Sequence, residues 1–329
     1  MKKEFIKFLA CPFCYGDLRF GRGCVEVGER VESGVLQCIR CNRRYPIDNY
    51  VPRFVDKNNY ANSFGIEWNY FSKTQYDSYS GIPDSEVRFR EEMRWSKSLK
   101  EEAVLEVGSG SGRFTEQVAK TGAFVVSVDY SNAVDANYSS NGKNENVLII
   151  QGTIFNLPVK KEFFDKVFCI GVLQHTPDPE KAFYSLIKHL RVGGNIVIDV
   201  YKNTFDAYLS VRYFIRVVTK HLNPKLIFKL SSTYVDTLWP LASLMRKISP
   251  KYGPRINWAL GVPDYSRRGL GGNILKEWAY LDAFDMWSPA HTHPQTLSKV
   301  RKWFENSGLG SSEVKYGYNG IEGRGTKIA

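Results

Sequence analysis

The stretch Ala103-Val104-Leu105-Glu106-Val107-Gly108-Ser109-Gly110-Ser111-Gly112 decides how this chain is folded. Five apolar-rich residues without a break suit a strand buried on both faces, as in a parallel sheet. Three glycines at alternate positions then let the backbone turn sharply into a helix over Arg113 to Lys120 and let a ligand approach the main chain. A dinucleotide site favours G-x-G-x-x-G with pyrophosphate at the helix N-terminus. The spacing here is G-x-G-x-G, and Glu106 stands two residues before the first glycine. A carboxylate there repels pyrophosphate and suits a nucleoside carrying sulfonium and ammonium charges.

Working outward, a second strand runs from Phe124 to Val128 and ends on Asp129 and Tyr130. An acid there can accept both ribose hydroxyls of a nucleotide. A third strand, Val147 to Gln151, leads into Gly152-Thr153-Ile154-Phe155-Asn156-Leu157-Pro158, and a fourth, Lys166 to Ile170, opens onto Gly171-Val172-Leu173-Gln174-His175. A helix through Ala182, a turn at Val192-Gly193-Gly194 and a fifth strand from Asn195 to Val200 follow. Alternating strands and helices predict an α/β fold with a doubly wound, mainly parallel sheet and ligands at the strand C-termini.

These motifs, in this order over Glu101 to Tyr201, resemble the class I methyltransferases that use S-adenosylmethionine. The resemblance implies a Rossmann-like methyltransferase sheet and assigns cofactor contacts residue by residue. Glu106, Gly108, Ser109, Gly110 and Gly112 belong to the loop, with Gly108 and Gly110 facing the methionine and ribose. Asp129, followed by Tyr130, meets the ribose hydroxyls. Thr153 and Ile154 lie by the adenine, and Gly171 belongs to the strand-four edge. Thr153 stands where many members carry Asp. The flank Ser63 to Asn69 and the later Asp285-Met286-Trp287-Ser288-Pro289 are similar to bacterial methyltransferases that accompany surface-glycan or secondary-metabolite genes.

Near the N-terminus, Cys11/Cys14 and Cys38/Cys41 form two C-x2-C pairs. Each pair closes a knuckle that presents two thiolates, and two knuckles complete a tetrahedral site for Zn2+. Four thiolates leave no open position for a catalytic water, so the zinc is structural, and a module this small needs such a staple. Cys24 falls between the knuckles as a bystander. The stretch Phe8 to Ile47, with Tyr45-Pro46-Ile47 and Val51-Pro52, resembles the zinc ribbon of the tRNA-methyltransferase activator family, which implies a methyltransferase partner or fused domain.

The 329 residues carry a net charge of +11, with 43% apolar and 24% charged residues, which excludes a disordered tail protein. No apolar run approaches the roughly 18 residues of a transmembrane span, and the start lacks a signal core, so a cytoplasmic protein is expected. Residues 201–268 hold twelve basic and three acidic side chains. Apolar residues from Phe205 to Val218, with Arg212, Arg216, Lys220, Lys225 and Lys229 among them and Arg246, Lys247, Lys251 and Arg255 beyond, predict a helical cap. Through residues 202–268 such a cap suits peripheral contact with an anionic membrane at the inner face. The expected organisation is a zinc ribbon at 1–57, linker and helices at 58–100, the cofactor-binding core at 101–201, the cap at 202–285 and the rest of the core at 286–329.

Candidate catalytic residues are His175, at the mouth of strand four, and His291 and His293, as general bases or acceptor-pocket walls. Cys169 sits inside an apolar strand, where a buried thiol is expected. The absence of an Asp/Asn-Pro-Pro-aromatic run after strand four argues against methylation of exocyclic base amines. The expected acceptor is a small molecule or a glycan- or lipid-linked saccharide, methylated at a hydroxyl. Two other classes compete. Some ribosomal-RNA guanine methyltransferases also place a four-thiolate ribbon before this fold, and Arg40, Arg43, Arg44 and Arg53 could grip phosphates. The ribbon could also serve as a docking module for another protein.

Overall fold

The structure is a computed structural model that describes residues 1–56, 59–203, 215–216, 218–219 and 221–328. Among these residues two sheets are present. The first is built from β1 (Leu18–Phe20), β2 (Val25–Val27), β3 (Arg30–Cys38), β4 (Arg44–Asp48) and β5 (Val51–Pro52), all paired antiparallel, with β3 at its centre. The two cysteine knuckles flank it.

The second sheet has seven strands. Its five parallel members are β6 (Ala103–Val107), β7 (Phe124–Asp129), β8 (Val147–Gln151), β9 (Phe164–Cys169) and β10 (Leu190–Val200). β11 (Leu309–Tyr316) and β12 (Ile321–Lys327) complete it, in the order β11-β12-β10-β9-β6-β7-β8, with β12 antiparallel to both neighbours. All five residues of β6 and of β8 are buried, in keeping with their apolar-rich sequences, and the burial includes the polar Glu106 and Gln151. The expected turn at Val192-Gly193-Gly194 is instead a bulge within β10: pairing with β9 slips between Leu190 and Asn195, and Gly193 adopts a φ of +79°.

Six helices accompany the sheet up to β10: α1 (Asn62–Tyr70), α2 (Asp77–Ser80), α3 (Asp84–Met93), α4 (Arg113–Lys120), α5 (Val134–Asn141) and α6 (Pro179–Ile187). Beyond it come α7 (Pro224–Ile248), α8 (Gly253–Ala259), α9 (Gly272–Trp287) and α10 (Leu297–Glu305). α7 starts on Asn223, whose side chain accepts from the Lys225 N–H, with Pro224 in the first turn. The apolar residues from Phe205 to Phe214, with Val217, Arg212 and Lys220, lie outside the described residues.

One apolar core runs through both sheets. Phe5 and Phe8 pack on Phe124 at ring distances of 5.1 and 4.1 Å, and Leu9 bridges to Val159. Arg53, after β5, lies parallel to Gln151 of β8 and carries the small sheet onto the edge of the large one. No described helix is long and apolar enough to cross a membrane.

Candidate functional site

A cavity of about 490 Å³ opens at the C-terminal ends of the parallel strands. The loop after β6 lines it with Gly108, Ser109, Gly110 and Ser111, and the end of β7 with Asp129 and Tyr130. Gly152 and Ile154 follow from β8, and Gly171, Val172 and His175 from β9. Parallel strands end side by side, so residues far apart in sequence form one wall.

The three glycines do different work. Gly108 has a φ of +84°, and a Cβ there would overlap Val172 across the loop. Gly110, at +54°, lies under Trp68, whose indole would be 3.1 Å from a Cβ. Gly112, at +91°, does not line the cavity; a Cβ there would strike Asn137 of α5. Its absent side chain lets α4 and α5 approach, with the Asn141 side chain donating to the Gly112 carbonyl at 3.0 Å.

Asp129 closes the loop from the β7 side. One carboxylate oxygen accepts the Gly110 N–H at 2.9 Å, and the other accepts the Ser131 N–H and hydroxyl at 2.8 and 2.7 Å. The oxygen that accepts from Gly110 keeps a lone pair for a further donor, while Ser131 fills the other. Burial raises its pKa, and the hydrogen bonds pull it back.

Besides Gly112, two further expected contacts fall elsewhere. Glu106 is 1% exposed and does not line the cavity. Its carboxyl receives the Thr115 hydroxyl, in a cluster that includes Ser127 and Asn137, and burial pushes its pKa to about 7. Contrary to the expectation from sequence, Glu106 therefore does not face a cationic ligand in the cavity, because strand alternation turns it beneath α4. The Thr153 side chain caps the short 3-10 turn Ile154–Asn156 by accepting from the Phe155 N–H at 3.4 Å, and Ile154, not Thr153, lines the cavity.

His175 lines the cavity and is 8% exposed. Its Nδ1 lies 3.1 Å from the His291 carbonyl oxygen, so Nδ1 carries the proton and Nε2 keeps a lone pair. Burial lowers its pKa to about 4, which keeps the ring neutral near pH 7. His291 and His293 do not line the cavity; their rings stack on each other at 5.8 Å, and their backbones pin the strand-four edge, the His293 N–H donating to Gln174. The α10 cap is Thr296, which accepts from Lys299. Cys169 is fully buried, as expected.

The remaining walls come from residues that the motif reading passed over. α1 and the turn before it supply Tyr60, Phe64, Glu67 and Trp68, and α9 supplies Leu281, Asp282, Asp285 and Met286. The spacing of about three to four residues on α1 is one helix face, and the stretch Ser63 to Asn69 contains three of these four residues. Arg88 of α3 donates to Asp199 at 2.6 Å, and Asp199 accepts the Gly171 N–H, so a buried ion pair positions the strand-four edge. Nothing local in sequence marks Asp199, because its partners are brought to it by the sheet.

In the ribbon, the Sγ atoms of Cys11, Cys14, Cys38 and Cys41 all lie within 4.8 Å of one another, and among the described residues no other group of three or more such side chains converges so. Cys11–Cys41 and Cys14–Cys38 are 3.6 and 3.5 Å apart. A tetrahedral Zn–S site with bonds of about 2.3 Å has sulfur–sulfur edges of about 3.8 Å, which these spacings approach. Cys24 stands apart, against the Gly21 carbonyl. Arg53, expected as a phosphate contact, is 4% exposed and donates to Gln151 and Asp135 at 3.0 and 2.6 Å. That leaves only Arg40, Arg43 and Arg44 exposed for an RNA role.

Residues 105–198 match the methyltransferase domain family, and residues 2–49 match the Trm112p-like family. A ubiquinone biosynthesis O-methyltransferase from Coxiella burnetii is 30% identical over 115 residues, 34% of this chain and 49% of that protein. The chain thus spans about half the length of that curated relative. An uncharacterised chloroplastic methyltransferase from Arabidopsis thaliana is 26% identical over 218 residues, covering 59% of this chain and 62% of its own. Among solved structures, the complex of the Haloferax volcanii Trm112 methyltransferase activator with a methyltransferase aligns with 81% of this chain and 98% of that one, at 11% identity and a TM-score of 0.45. Residues 105–198 thus carry a methyltransferase domain, and residues 2–49 a Trm112p-like domain.

Proposed function

We propose that the protein methylates a hydroxyl of a small-molecule or glycan- or lipid-linked acceptor, using S-adenosylmethionine. The observation that carries this reading is a single cavity in which the Gly108–Ser111 loop, Asp129, Ile154 and His175 all take part. At about 490 Å³ it lies within the usual range of small-molecule sites. S-adenosylmethionine, when bound, supplies a methyl group on a positively charged sulfur. Gly108 and Gly110 give close main-chain approach, Asp129 accepts the ribose hydroxyls, and Tyr130 and Ile154 flank the base. The cover formed by α1 and α9 excludes water, so orientation and desolvation provide most of the rate. His175 can take the acceptor's proton at Nε2.

Calorimetry of the zinc-replete chain with S-adenosylhomocysteine tests the reading. We expect binding that weakens at least about tenfold in Asp129→Ala, the loss of roughly one charge-assisted contact. Uptake of NADH with no response to S-adenosylhomocysteine would refute it.

The four thiolates are proposed to hold one structural Zn2+, with the Tyr45 hydroxyl 3.0 Å from the Cys11 sulfur as an outer support. A second reading concerns the cap. On α7 the exposed residues Leu226, Leu230, Leu241, Leu244 and Ile248 fall on one side of the helix, opposite the buried Val235 and Ala242. Exposed Lys225, Lys229 and Lys247 flank that stripe. An apolar ridge edged with lysines suits peripheral contact with an anionic membrane, which vesicle binding tests.

A further inference from the structure

The cover of the cavity contains a carboxyl group that the methyl-donor site does not use. Glu67 of α1 lines the cavity and is 0% exposed, and neither of its oxygens has a hydrogen-bond partner among the described residues. Leaving such a group bare in the interior carries the full desolvation penalty of the carboxyl. Native proteins rarely tolerate that cost away from a ligand.

The surroundings sharpen the problem. Asp282 and Asp285 of α9 line the same cavity and act electrostatically on Glu67. The Tyr265 hydroxyl donates to Asp282. Arg88 is bound to Glu92 and Asp199, and Arg268, which also acts electrostatically on Asp282, is bound to Asp84. Arg113 lies 3.9 Å from Asp84 and stacks on Phe114. No described cation is paired with Glu67.

We propose that the part of the cavity walled by Glu67, Asp282 and Asp285 is the acceptor subsite, and that it selects an acceptor bearing a primary ammonium group with Glu67 as its counter-ion. The inference rests on the methyl-transfer reading above. The carboxylates do not converge as a metal cluster does: the four cysteines form the one such group among the described residues. An ammonium has three N–H donors and can engage more widely spaced oxygens. Its charge also offsets the repulsion within the acidic wall, which neutral hydroxyls cannot do. Burial and the two aspartates raise the Glu67 pKa well above the usual range, in keeping with a carboxyl that lacks its partner.

Placement supports an acceptor role. Trp68, the next residue, lies against Gly110, and Phe64, one turn earlier, meets the His175 ring edge-on at 5.1 Å. One helix therefore carries Glu67 along the wall that covers both the glycine loop and the candidate base.

The test uses the full zinc-replete chain saturated with S-adenosylhomocysteine at neutral pH. Glucosamine against glucose, and ethanolamine against ethylene glycol, are titrated by ligand-observed NMR. Each amine should bind at least about tenfold more tightly than its hydroxyl counterpart. Glu67→Gln should abolish that preference while affinity for S-adenosylhomocysteine stays within about twofold. Thermal unfolding checks the fold of the variant; should it not fold, Asp282→Asn must reduce the preference instead. Equal binding of amine and hydroxyl, binding of neither, or a preference that survives both substitutions overturns the proposal. Loss of S-adenosylhomocysteine affinity in Glu67→Gln also overturns it, because Glu67 would then face the donor's own ammonium. If the unsubstituted chain binds no S-adenosylhomocysteine, the methyl-donor reading itself fails, which is a distinct result.

Discussion

At the scale of single residues, neighbouring glycines of one loop answer to different constraints. Gly108→Ala places a Cβ against Val172 at the cavity wall, in a left-handed backbone, whereas Gly112→Ala places one between α4 and α5. Both should lose about 1–3 kcal/mol of stability. Gly108→Ala should in addition weaken S-adenosylhomocysteine at least about tenfold, while Gly112→Ala should bind it normally below its lowered Tm. Equal binding losses in the two variants would contradict the division of roles. Glu106 gives a pH-dependent prediction. Its pKa rises from 4.5 to about 7 on folding, chiefly through burial, so the protonated carboxyl contributes stability below pH 4.5 that is lost as pH rises through 7. Relative to the native chain, Glu106→Gln should therefore gain on the order of 3 kcal/mol between pH 4.5 and pH 8. Urea unfolding of both proteins at pH 5 and pH 8 checks this; a stability difference independent of pH would show that Glu106 is ionised throughout.

At the scale of elements, α1 and α9 turn an open strand edge into an enclosed site, and α7 presents a second apolar face to the outside. Its inner face packs through Val235 and Ala242 on Ala279 and Ala283 of α9. Its outer leucines have no described cover. If that ridge meets lipid, the chain should float with phosphatidylserine vesicles and not with neutral ones, and Leu241→Asp with Leu244→Asp should reduce flotation at least about fivefold without lowering Tm. Retention that disappears entirely in moderate salt would instead indicate charge attraction without insertion. Arg246 does not join the exposed lysines beside that ridge: it pairs with Asp264 at 3.0 Å and lies over the Trp239 ring.

At the scale of the whole molecule, the ribbon and the large sheet share a core. Phe5, Phe8 and Leu9 pack against Phe124 and Val159, and Arg53 joins β5 to β8, so the ribbon is not a tethered appendage. Removing zinc with a strong chelator should therefore lower the Tm of the entire chain and expose Phe124, and Cys38→Ser should do the same. A chelated protein with unchanged Tm would mean that the cysteines hold no structural ion. The strands from Ala103 to Gln151, the α4 boundaries, the cysteine quartet and Asp129 were legible because each depends on local periodicity or fixed spacing. The expected turn at Val192 became a bulge because pairing with β9 imposed a register that the local residues do not encode. Glu106, His291 and His293 were misplaced for a related reason: residue type suggested chemistry, but strand alternation and loop packing set what each side chain meets. Sequence alone determined the methyltransferase core and the thiolate ribbon, since both are written in contiguous motifs. Only the tertiary structure brought Glu67 opposite Asp282 and Asp285, because the contact of α1 with α9 joins segments more than two hundred residues apart and leaves no local pattern.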